Sequence, residues 1–182
     1  MKKHYATEAQ KLKDKMKNNF GEKKSKERKK KQFVYSFNMM DIQTRMNVGC
    51  GTSFKSEKEA YHKSVEMIKK TGIIINSLRL DKYYSNQSDM DFCQNTFGKT
   101  KIYLIPKNNA TIKGSTEWKE MLMRFISNMK EYLKEYYQRN QSESGFSEDK
   151  RRIGQRLGQK RDDRIDTANF LTTIWHNLYW LG

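Results

Sequence analysis

The sequence predicts a mixed α/β fold, and three features carry that expectation. An aromatic-rich pair of extended segments comes first, a capped amphipathic helix leads from it into a short apolar strand, and a long helical period follows a second strand further on. At 182 residues the chain is long enough to bury one core and too short to be expected as two domains. Mean hydropathy is low, at -1.03, yet 12% of the residues are aromatic, which argues for packing beneath a strongly polar surface.

Residues 1–32 hold thirteen Lys or Arg against Glu8, Asp14, Glu22 and Glu27, a net of +9, and read as a basic arm or connection ahead of a core over 33–182. The arm divides into a helical stretch over 6–18 and a loop over 21–31. Phe33 to Met40 and Arg45 to Thr52, joined by Asp41-Ile42-Gln43-Thr44, form the hairpin. Within it Gly49 and Gly51 suggest a bulge, since no Lys-Ser/Thr follows to make a phosphate loop. Ser56 with Glu59 three residues on begins a helix whose inner face is Ala60, Ser64, Met67 and Ile68 and which stops at Gly72. Ile73 to Leu80 reads as a strand ending in Asp81, residues 85–99 as a loop or short helix, and Lys101 to Ile105 as a strand before Pro106. Trp118 to Gln141 has the period of one long helix with Met121, Phe125, Met129 and Leu133 on a stripe, and Gly145 is expected to interrupt it. A terminal helix over 164–181 offers Ile165, Phe170, Ile174, Leu178 and Leu181 for packing, with His176 as a packed histidine.

The formal charge of +16 favours a polyanionic partner, with nucleic acid first. Cys50 and Cys93 stand far apart without metal-ligand spacing, so neither a disulfide framework nor a zinc site is suggested and a reduced, cytoplasmic chain is expected. No apolar run approaches the roughly 18 residues of a membrane span.

The most informative stretch runs from Tyr136 to Lys150. On one continuous helix, Arg139, Glu143 and Lys150 would all fall within about 60° of Tyr136, giving one face with a ring, two cations and a carboxylate. This Tyr-x2-Arg-x3-Glu-x6-Lys spacing resembles the signature of a large group of insertion-sequence transposases, in which the Glu is the last carboxylate of a DDE metal site on an RNase H-like core. The resemblance covers about 33–182. Asp81, after Leu78-Arg79-Leu80, resembles the second aspartate of that site at the end of its fourth strand. The resemblance implies a two-metal site for Mg²⁺ or Mn²⁺ held by Asp81 and Glu143, DNA transposition as the activity, and DNA as partner, both as element ends and as target. It leaves a second copy of the chain as a further candidate partner and implies a nucleoid-associated protein. Two ions between carboxylates would stabilise the attacking and leaving oxygens of phosphodiester chemistry.

Arg139, Lys150, Arg151, Arg152 and Arg156 are the candidate phosphate contacts, within a run that continues through Lys160 and Arg161. Tyr136 offers a ring to stack on a displaced base, or else is a packed core tyrosine. The first aspartate is the departure from the pattern. Only two strands precede the Ser56 helix, so either Asp41 in the hairpin turn serves as the missing ligand, or the core lacks its Asp-bearing first strand; the second reading is preferred. It predicts a central sheet position beside the hairpin not filled by an Asp-bearing strand, and no metal-dependent cleavage by this chain. The competing class is a non-enzymatic basic DNA-binding protein, a remnant or regulator of transposition.

Overall fold

The computed structural model describes residues 34–154, 157–159 and 161–182. The basic arm over 1–32, and Arg156 and Lys160, lie outside the described residues. The hairpin is β1 (Tyr35–Met40) and β2 (Asn47–Ser53), antiparallel. Helix α1 (Glu57–Thr71) packs across it. Then come β3 (Ser77–Arg79), a 3₁₀ turn at Lys82–Tyr84, α2 (Gln87–Phe97), and β4 (Lys101–Tyr103), which pairs with β3 in parallel. Helices α3 (Thr116–Ser127), α4 (Met129–Tyr137), α5 (Asn140–Ile153) and α6 (Asp162–Leu181) complete the order. The mixed α/β expectation holds. Among the described residues the strands form two separate two-stranded sheets, β1-β2 and β3-β4, over one core containing Tyr61, Val65, Ile68, Leu80, Ile102, Leu104, Trp118, Met121 and Tyr132.

The capped helix forms as its sequence specifies. The Ser56 hydroxyl accepts from Glu59 N at 3.1 Å, and Gly72 ends α1 in the left-handed conformation. The expected bulge falls beside Gly49, since Met39 pairs with Gly49 and Met40 with Asn47, which leaves Val48 of β2 without a partner, and Gly49 and Gly51 have a second role. They allow α1 to lie directly on β2. A Cβ on Gly51 would sit 1.9 Å from the Ala60 carbonyl oxygen.

Four expectations are corrected. The strand expected over 73–80 is confined to Ser77–Arg79, with Ile74 exposed. The single long helix is three, broken at Asn128, whose side chain caps α4 by accepting from Glu131 N at 3.3 Å, and again at Gln138 and Arg139. Met129, expected on the inner stripe, is exposed as a result. Gly145 does not interrupt α5; it is buried inside it, where a Cβ would meet Met40 Cε at 2.5 Å and His176 Cε1 at 3.3 Å. Of the five apolar residues expected to pack on the last helix only Ile165 is buried, and Leu178 and Leu181 are 61% and 68% exposed. Helix α6 instead turns polar groups inward. Asn169 donates to Thr52 Oγ1 at 2.9 Å, Asn177 exchanges two hydrogen bonds with the Asn47 backbone, and His176 is fully buried.

Candidate carboxylate site

The site is assembled where β3 ends. Leu80 extends the strand pairing by donating to Tyr103 O at 3.2 Å, and its buried side chain anchors the residue before Asp81. Asp81 caps the 3₁₀ turn, with Oδ1 accepting from Tyr83 N at 3.4 Å, which leaves Oδ2 directed elsewhere. Tyr84, buried in the core, closes that turn and donates its hydroxyl to Glu57 at 3.1 Å.

A second tie comes from Arg79, one of the site's organising residues that sequence reasoning missed. Its Nε donates to the Glu135 carbonyl at 2.9 Å and its guanidinium pairs with the Glu135 carboxylate, so the end of β3 is bound to the last turn of α4. An arginine between two leucines in an apolar strand was the available signal. A charge there needs a partner.

From Tyr136 to Asn140 the backbone tightens into i→i−3 bonding, with Gln138 N donating to Glu135 O and Arg139 N to Tyr136 O at 3.2 Å. In such a winding, residues three apart eclipse. Arg139 accordingly lies over the Tyr136 ring, 5.2 Å from its centroid. Its Nη1 donates to Glu143 Oε1 at 2.9 Å and contacts Asp81 Oδ2 at 3.5 Å. Laid end to end, those contacts bound the separation of the two carboxylate oxygens at 6.4 Å. Glu143 occupies the first turn of α5, where the helix dipole favours an anion. Asp81 and Glu143 are 44% and 58% exposed, open to ions and ligands.

The other predicted residues divide. Tyr136 is 2% exposed, packed edge-on to Tyr137 and covered by Arg139, so in this conformation its ring faces are not offered to a base. Burial pushes its phenol pKa up, partly offset by Arg139. Asp41 stays with its own turn, its Oδ2 accepting from Thr44 Oγ1 at 2.7 Å and Thr44 N at 3.1 Å; the Thr44 hydroxyl is the main cause holding its carboxyl below the usual range. Among the described residues no three of His, Cys, Asp and Glu gather as a metal site, so Asp41 does not complete a triad with Asp81 and Glu143. Lys150 lies 4.3 Å from the Phe146 ring centroid. Arg151 is exposed, whereas Arg152 stacks on Tyr179 at 3.5 Å and pairs with Glu148 at 3.4 Å, so the basic run is not uniformly open.

A buried clamp lies behind α5. His176 Nδ1 meets Asp149 Oδ1 at 2.8 Å and Nε2 meets the Arg45 carbonyl at 2.8 Å, joining α5, α6 and the hairpin turn. This histidine packs as expected of it, but nothing in the spacing pointed to Asp149 or Arg45.

Fold and site together define an α/β protein that gathers two carboxylates about a cation at the end of a parallel strand. The chain is similar to the probable transposase for insertion sequence element ISA1214 of Archaeoglobus fulgidus, with 41% identity over 152 residues. The match takes in 84% of this chain and 46% of the relative, so the chain spans about half the length of that protein. An identity of this size over most of the chain supports kinship with insertion-sequence transposases. No protein-family profile matches the chain, and no solved structure matches it. Among the described residues no helix is long and apolar enough to cross a membrane.

Proposed function

We propose that this chain carries the second aspartate and the final glutamate of an insertion-sequence DDE transposase on an RNase H-like core, and that it binds DNA of the element. The observation that carries the reading is the convergence of Asp81 and Glu143, 62 positions apart in sequence, to within 6.4 Å about one guanidinium. A guanidinium between two carboxylates stands where a cation is wanted, and hard oxygen donors suit Mg²⁺ or Mn²⁺. Asp81 and Glu143 would hold the metal, which supplies charge stabilisation to the attacking and leaving oxygens of phosphoryl transfer. The remaining roles fall to the chain's own groups: Arg79 fixes the strand end against α4, and Arg139, Lys150 and Arg151 would meet phosphates.

The divided sheet supports the finer topology. The crossover β2-α1-β3 suits parallel strands, which leaves β1 antiparallel to β3. One further strand between β1 and β3 would then join both sheets into one, with its end close to Asp81. The described residues supply no such strand and no third carboxylate at the site.

The test uses the whole chain. Mn²⁺ binding followed by calorimetry is expected, and Asp81→Asn or Glu143→Gln is expected to abolish it while leaving affinity for duplex DNA nearly unchanged. DNA affinity should fall steeply between low and physiological salt as counterions are released. Mn²⁺ binding indifferent to both substitutions would overturn the metal-site reading, and a flat salt response would overturn the DNA one.

A further inference from the structure

Arg139 is placed for more than phosphate contact. Its Nη1 holds both carboxylates of the site, its Cζ lies 5.2 Å from the Tyr136 ring centroid, and its side chain is largely buried. Its Nε is buried and without a hydrogen-bond partner among the described residues. Leaving such a donor unmade is unfavourable, so this position of the guanidinium is held by the two carboxylates against an unmet demand at Nε. A divalent cation entering between Asp81 and Glu143 would take the same oxygens that Nη1 occupies and would repel the guanidinium at close range.

Resting on the reading of Asp81 and Glu143 as metal ligands, we propose that Arg139 is the site's internal counter-ion, displaced by the divalent cation and handed to a DNA phosphate, so that metal and DNA binding are coupled through this side chain. Without metal the guanidinium neutralises the carboxylate pair and covers Tyr136. With metal the carboxylates have a stronger partner, and the freed fork matches a phosphate bidentately. Its departure also uncovers the Tyr136 ring, which reconciles that residue's burial with a role in base stacking. Coupling of this kind is reciprocal: the factor by which metal tightens DNA binding equals the factor by which DNA tightens metal binding.

The experiment measures Mn²⁺ affinity by electron paramagnetic resonance of free Mn²⁺, with and without a short duplex of arbitrary sequence. Duplex affinity is measured by fluorescence anisotropy, with and without Mn²⁺, on the full chain and on Arg139→Gln, Arg139→Lys, Arg151→Gln and Asp81→Asn. Wild type is expected to show mutual enhancement of about 10-fold, within the usual range for coupled sites. Arg139→Gln should bind Mn²⁺ about 10-fold more tightly without DNA and show no enhancement, Arg139→Lys should fall between, and Arg151→Gln should lose DNA affinity while keeping the enhancement. Unchanged Mn²⁺ affinity and unchanged enhancement in both Arg139 variants, with binding still abolished by Asp81→Asn, would overturn the counter-ion role alone. Mn²⁺ binding that survives Asp81→Asn would overturn the metal-site reading and this inference with it. Arg139→Lys keeps the test open should Arg139→Gln fail to fold.

Discussion

Replacing His176 by Leu tests the clamp that holds the Glu143 helix to the rest of the molecule. The ring is fully buried, and both its nitrogens face acceptors, Asp149 Oδ1 and the Arg45 carbonyl, each at 2.8 Å. The substitution leaves a buried carboxylate without its hydrogen-bond partner, which costs about 3 kcal/mol or more for a charged group. It also leaves a carbonyl without its donor, about 1 kcal/mol more. Leucine offsets part of this by apolar burial, about 1.5–2 kcal/mol. A net destabilisation of about 3 kcal/mol is expected, lowering Tm by about 6–12 °C at the 2–4 °C per kcal/mol usual for chains of this size. The mechanism is separable by a double-mutant cycle with Asp149→Leu, because replacing both partners by apolar groups removes the stranded charge. The double variant should be more stable than His176→Leu alone. Chemical denaturation of the four proteins gives the coupling, and single-variant costs that simply add, or a His176→Leu cost under 1 kcal/mol, would refute the reasoning.

Two further substitutions probe how the fold presents the site. Gly51→Ala should cost about 3 kcal/mol or more in denaturation, because its Cβ would lie 1.9 Å from backbone of α1; Gly49→Ala meets side-chain atoms alone, Ile68 Cδ1 and Cγ1 at 2.7 Å and Ser64 Oγ at 2.9 Å, and should cost less, about 1–2 kcal/mol. Equal costs for the two would show that α1 does not rest on β2 through Gly51. Arg79→Met removes the tie from β3 to α4 and should cost about 1–3 kcal/mol, since Glu135 keeps some access to water. It should also weaken Mn²⁺ binding without touching either carboxylate, and unchanged Mn²⁺ affinity would mean that Asp81 is positioned by other contacts.

Much of the chain was legible because its signals were local. Ser56 with Glu59, and Gly72, bound one helix by capping chemistry that involves no distant residue, and the two extended runs about residue 41 could pair only as a hairpin. The breaks in the long helix were harder, since the apolar period continues across Asn128 and hides the stop. The Asn128-x-x-Glu131 cap was nevertheless present to be read. Gly145 was misread because a glycine in a helix has two meanings, interruption or close packing, and only the positions of Met40 and His176 decide between them. Half of the last helix is polar and most of its apolar residues are exposed, so apolar periodicity could not select its buried face. That face was chosen by Asn169, His176 and Asn177, whose partners on the hairpin and on α5 lie far away in sequence.

The resemblance implied a shared site for Asp81 and Glu143, whereas the spacing set Tyr136, Arg139, Glu143 and Lys150 on a helix that the chain does not form. One continuous helix would have spread Tyr136, Arg139, Glu143 and Lys150 along a single face, with Arg139 turned about 60° from Tyr136. The helix breaks between Tyr136 and Glu143, and the tight winding there sets Arg139 over the Tyr136 ring while α5 starts afresh with Glu143 in its first turn. The spacing therefore picked out Tyr136, Arg139 and Glu143, which the fold brings into contact, although it assigned them the wrong local geometry. What brings them together is the break itself, with Arg79 anchoring the strand end on one side and His176 anchoring α5 on the other. A substitution that merged α4 and α5 into one straight helix would satisfy the sequence period better and pull Arg139 off one of its two carboxylates.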